Sequence, residues 1–380
     1  MKAKTFGRWI VLLFMLYWAV VPASAAELPD EYGRLGEALP DEAAEALPPE
    51  LLSGDVAGIG AAAEEVLSPL GLLRRVAELA RTKLGGACAM FASLTALFVL
   101  SALAGGVSNG LLADSAEISG AVAYAVRIAS ALAAIRLLSA RIASLGGFFT
   151  VLRSVMTALL PVMELIYLSG GNAAAAALTN ATLLVWLDLI DLLVSGFLMP
   201  AAAAIAAFAA ADCFLGEEIP GFAAAGGVIK KLLGFVLGLG AALLASSLGA
   251  QSVIATAADG ASAKTVKYMA GSVIPVVGST VGETIRTVAA GVRLLRATVG
   301  GAGIAVIAVL LLPVLTELIL SRLALAASAA VGEMLGCRSE VRFIREAESL
   351  CGYLLAAAVL CSMLFVLALT VFALTASAAA

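Results

Sequence analysis

Apolar positions in this chain run together in blocks of about 20 residues, neither alternating nor confined to one stripe of a helix. The clearest blocks cover residues 87–108, 173–199, 232–250, 299–320 and 352–372. Two more, 118–139 and 146–168, have similar length but carry Arg127 and Arg136, and Arg153 and Glu164. A shorter piece, 201–215, is too brief to cross a bilayer alone and predicts a re-entrant segment. Lipid cannot satisfy open backbone groups, and no segment shows the alternation of barrel strands. The pattern therefore predicts an all-α, polytopic integral membrane protein. It should have about seven transmembrane helices, within a range of six to eight, with broken or re-entrant segments.

The first 85 residues follow a different pattern. Lys2, Lys4 and Arg8 precede a short apolar run over residues 9–21, Pro22 closes it, and Ala23-Ser24-Ala25 has the small residues a signal peptidase accepts. Residues 1–26 thus read as a cleaved signal peptide, 27–85 as an exported segment and 86–380 as the membrane domain. In the exported segment Asp30, Glu31, Glu37, Asp41, Glu42, Glu45 and Glu50 alternate with Pro29, Pro40, Pro48 and Pro49, which keep the chain in turns. Val66, Leu70, Leu73, Val76 and Leu79 then recur at helical spacing among Arg74, Arg75, Glu78, Arg81 and Lys83. That is one amphipathic helix, lying on a membrane surface or a partner, or packed on the protein's own outer face. The signal places these cations outside, against the positive-inside tendency.

Composition supports the membrane reading: 62% of the residues are hydrophobic and 13% charged, against roughly 45–50% and about 25% in soluble domains. A net charge of −4 without a basic block gives no reason to expect a nucleic-acid partner. Histidine is absent, which removes the commonest general base and metal ligand. The five cysteines, at 88, 213, 337, 351 and 361, form no CxxC pair and read as small buried hydrophobes. No cofactor is implied.

Asp188 and Asp191 interrupt an apolar run and, three residues apart, share one helix face. A charge near mid-bilayer costs at least about 2.5–3.5 kcal/mol, so both should find partners or water. One reading makes them a proton or cation site. The other, favoured, pairs them with Arg127, Arg136 or Arg153 on another helix, or with a partner protein. Small residues crowd the following block, including a Gly234–Gly238 GxxxG, and imply close helix packing. An internal echo links Leu159-Leu160-Pro161-Val162-Met163-Glu164 to Leu311-Leu312-Pro313-Val314-Leu315-Thr316-Glu317, each after a diglycine. Duplicated broken helices are a transporter layout, which leaves a stand-alone permease or ion-coupled transporter as the alternative function.

Between residues 250 and 299 the chain is only partly polar. Lys264 and Lys267 precede Pro275, which lies between Gly271 and Gly278, and Arg286, Arg293 and Arg296 follow. This predicts two amphipathic helices joined by a bend at the interface. The Lys264-Thr265-Val266-Lys267-Tyr268 and Ile274-Pro275-Val276-Val277-Gly278 runs, Leu294-Leu295-Arg296 leading to Val299-Gly300, and Leu198-Met199-Pro200 resemble the stage III sporulation protein AE family of endospore-forming bacteria. The resemblance covers essentially the whole chain. It implies a non-enzymatic subunit of a channel between mother cell and forespore, located in the mother-cell membrane around the forespore and required for endospore maturation. It also implies partners in the same complex: other membrane proteins, an ATPase and ring-forming subunits, besides the lipid bilayer. The family supplies no catalytic residues. The candidate functional or assembly residues are therefore Asp188, Asp191, Lys264, Lys267, Pro275, Gly278 and Arg286.

Overall fold

The structure is a computed structural model that describes residues 47–51, 56–110, 116–169, 173–215, 221–222, 224–243, 246 and 278–375. These residues form helices and turns, with no strand among them. After a 3₁₀ turn at Pro49–Leu51 come α1 (Val56–Leu67), α2 (Pro69–Gly110), α3 (Ala116–Ser169) and α4 (Ala173–Asp191). A π-helical stretch, Leu192–Leu198, leads directly into α5 (Met199–Leu215). Then follow α6 (Ala224–Leu243), α7 (Gly278–Met334) and α8 (Arg338–Thr375). The signal peptide and the acidic, proline-rich stretch to residue 46 lie outside the described residues, as do Lys264, Lys267 and Pro275.

Local chemistry sets where the rods break. Between α1 and α2, Ser68 caps the second helix: its Oγ accepts the Gly71 N–H at 2.9 Å, and Pro69 occupies the first helical position, where a missing N–H costs nothing. The Ser68 hydroxyl also donates to the Glu65 carbonyl at 2.7 Å. A Cβ on Gly71 would collide with that carbonyl, so this corner requires glycine. Between α7 and α8, Gly336 adopts φ +79°. Cys337 N–H bonds the Gly332 carbonyl and Gly336 N–H the Glu333 carbonyl, which is a Schellman stop. The π stretch precedes Pro200, which has no N–H for the Gly196 carbonyl and would crowd it. The turn widens, and Met199 N–H bonds the Val194 carbonyl, five residues back.

Where no such signal exists the helices run on. Residues 140–145 contain no breaker, so the blocks expected at 118–139 and 146–168 belong to one 54-residue helix, α3, which continues through Pro161. The amphipathic stretch carrying Arg286, Arg293 and Arg296 is the start of α7, a 57-residue helix that passes through Gly300-Gly301 and Pro313. It is not a separate interfacial helix. The 201–215 piece is the continuation of α4 through the π stretch, not a re-entrant loop. Six described helices are long and apolar enough to cross a membrane, within the expected range and one below seven.

The α7–α8 hairpin forms the centre, with α2 and α3 against α7, and α3 and α5 against α8. Its core is made of alanine and aliphatic side chains, including Ala302, Ala305, Ala329, Ala357 and Ala358. Close approaches occur at particular glycines: a Cβ on Gly303 would lie 2.8 Å from Leu369 Cδ1, and one on Gly240 2.8 Å from Leu360 Cδ2. The expected GxxxG is not a tight contact. Gly234 faces Tyr353 at 3.7 Å and Gly238 has open space.

Candidate functional site

Contacts along the rods place the helices at matching levels. Lys83 Nζ lies 3.2 Å from Glu317, Phe98 packs against Gly332, and Ser101 donates to Glu340 at 2.8 Å, so α2 rises parallel to α7. Arg141 pairs with Glu317 and Leu159 meets Gly303, so α3 descends antiparallel to it. Leu369 also reaches Gly303, and Arg322 lies against Gly352, which sets α8. Residues 297–316 of α7 and 349–375 of α8 carry no charge, and these contacts put the two runs at the same level. An uncharged level of that length fits the hydrocarbon layer of a bilayer.

Ion pairs occupy the rest of the hairpin. Glu317 closes the uncharged run of α7 and joins α2, α3 and α7 by binding both Lys83 and Arg141. Beyond it lie Arg322–Glu348 at 3.6 Å, Lys230–Glu346, Arg342–Asp212 at 3.5 Å and Arg345–Glu333 at 2.9 Å. Buried Glu340 accepts hydroxyl hydrogens from Ser101 and Ser339. Burial pushes the nearby Cys337 thiol above its ordinary range; a hydrogen bond with Ser101 opposes this and the Glu340 charge adds to it. The cavity beside these groups, lined by Leu94, Phe98, Cys213, Glu340 and Phe343, measures about 10 Å³, room for about one water.

One ion-paired group lies inside this level. Arg153, between Arg141 and Leu159 on α3, reaches Asp191 at 2.9 Å and Asp188 at 3.9 Å on α4. The favoured pairing of the two aspartates with an arginine thus holds for Arg153. Arg136 stands exposed on α3, and the Arg127 side chain is outside the described residues. Asp191 also accepts the Ser195 hydroxyl at 3.2 Å, tying the pair to the π stretch. The triad does not enclose a cavity. The Asp188 side chain is 81% exposed, among exposed Leu184, Val185, Leu189 and Leu192.

Of the other candidate residues, Gly278 begins α7 and Arg286 lies on its third turn with its side chain outside the described set. Nothing among the described residues brings either near Asp188. The sequence reading missed the Glu317–Arg141–Lys83 cluster because it placed Arg141 in a connection between two spans. The available signal was an acid at the end of one apolar run and cations at the ends of two others. Glu164, also in an apolar block, accepts a bond from Asn180 Nδ2 at 2.8 Å.

A family model described as stage III sporulation protein AE matches residues 63–376. No curated protein and no solved structure matches the chain.

Proposed function

The chain belongs to the stage III sporulation protein AE family, and we propose that it is a non-enzymatic subunit of a trans-envelope channel between mother cell and forespore. It is a stage III sporulation protein and a multi-pass membrane protein. In this proposal it sits in the mother-cell membrane around the forespore and acts with other membrane proteins, an ATPase and ring-forming subunits. The observation behind the subunit reading is the placement of its charges. At the hydrocarbon level Asp188 points outward from an apolar face instead of into a cavity within the bundle. A solute site of a stand-alone permease would gather such groups around an interior space. A charge on the outside needs a neighbour.

The test is partner dependence. The tagged full-length chain, purified from sporulating cells in mild detergent, should bring down an ATPase and ring-forming membrane proteins. Reconstituted alone into vesicles, it should move no solute. Transport by the isolated chain, or normal spores after deletion of its gene, would refute the proposal.

A further inference from the structure

The first turns of α2 present a second charged patch on an apolar surface. Leu70 is 80% exposed, Leu73 and Val76 are exposed beside it, and Arg74 and Glu78 are exposed between them, with Arg75 half-buried. Neither arginine forms an ion pair among the described residues, even with Glu78 one turn away. Lys83 is held at the Glu317 layer. Arg74 lies nine residues earlier on α2, about 13 Å along the helix. Arg153 lies twelve residues past Arg141 on the antiparallel α3, about 18 Å from the same layer in the same direction. Arg74 and the Arg153–Asp188–Asp191 group therefore stand within about 5 Å of one level, inside the hydrocarbon layer.

The two patches complement each other. One arginine faces two carboxylates on α4, leaving a negative excess; two arginines face one carboxylate on α2, leaving a positive excess. Each is rimmed by exposed aliphatic side chains. A bilayer fixes the depth of every copy, so opposite charges at equal depth can meet by lateral diffusion alone. We propose that copies of this chain associate side by side, the Arg74–Arg75 face of α2 in one copy docking on the Asp188–Asp191 face of α4 in the next. The contact is heterologous, so repetition generates a ring if the rotation closes. It adds to the subunit reading the identity of one neighbour, a second copy.

Crosslinking of the full-length chain in membranes tests it. Arg74→Cys and Asp188→Cys are made separately in a Cys88→Ser background, given different tags, co-expressed and oxidised. The expected product is a dimer carrying both tags, with little from either variant alone. Charge reversal provides the second measurement: Arg74→Asp or Asp188→Arg should weaken self-association in mild detergent by at least about tenfold. The two reversals combined in one chain should restore it, which a folding defect would not do. Equal crosslinking within one variant, no crosslinking, or no rescue would overturn the proposal. A monomer that still co-purifies with other subunits would end this inference and leave the channel reading standing.

Discussion

Glu317 holds two cations from two other helices, so its removal tests the three-helix arrangement directly. Glu317→Gln keeps the size of the side chain and removes its charge, leaving Arg141 and Lys83 beside each other without a counter-ion. Removing one partner of a fully buried pair costs roughly 3–5 kcal/mol. The Glu317 and Arg141 side chains are 19% and 21% exposed and Lys83 is 45% exposed, so solvent screens part of that loss. We expect destabilisation of about 2–3 kcal/mol for Glu317→Gln and under about 1 kcal/mol for Lys83→Met, which leaves the Arg141 pair in place. Equilibrium unfolding of the full-length chain in mixed micelles measures both. A double-mutant cycle of Glu317→Gln with Arg141→Met isolates the pair. Equal effects of Glu317→Gln and Lys83→Met, or a cycle that closes to zero, would refute the placement of α3 against α7.

The helix stops make simpler predictions. Gly336→Ala forces a Cβ into the left-handed region and should cost about 1–2 kcal/mol in the same unfolding assay. Gly71→Ala should cost about 1–3 kcal/mol and loosen α1 from α7, read as faster proteolysis before residue 69. A Gly85→Ala control, where a Cβ meets nothing, should be nearly neutral.

How far the sequence disclosed this structure depends on the type of signal. Helical class and membrane character follow from block length alone, because lipid leaves the backbone few options. Element boundaries did not follow, for a specific reason. Gly146-Gly147, Gly300-Gly301 and Pro313 resemble stops but sit inside continuous helices, since neighbouring rods supply the packing that propensity lacks. The true stops were subtler: a serine–proline pair at 68–69 and one glycine at 336. Asp188 and Asp191 were legible as costly charges and Arg153 as one of their three nominated partners. Their outward direction was not legible, because facing depends on which side of α4 meets α3. The internal echo places Pro161 and Pro313 in the interiors of two long helices that pack on each other, without breaking either.

The register of α2 provides a last test. At 57 residues α7 is about 86 Å long, far more than the roughly 30 Å of hydrocarbon, so most of its length lies outside that layer. The uncharged part of α2, residues 84–110, does not coincide with the uncharged run of α7. It lies beside the hairpin tip that carries Glu333, Arg338, Arg342 and Arg345. Cys88, exposed and five residues past Lys83, therefore stands about 8 Å beyond the Glu317 layer, toward the charged tip. In membranes opened by freeze–thaw without detergent, a water-soluble maleimide should modify Cys88 within minutes. Cys337 should stay unmodified even in mild detergent, because it is buried and its raised pKa leaves little thiolate. If Cys88 reacted only after solubilisation, the run of α2 would set the bilayer level instead. The Arg345–Glu333 and Arg342–Asp212 pairs would then lie within lipid, and Arg74 and the Asp188 group, which share one level, would both be returned to water, where screening weakens the charge pairing on which self-association depends.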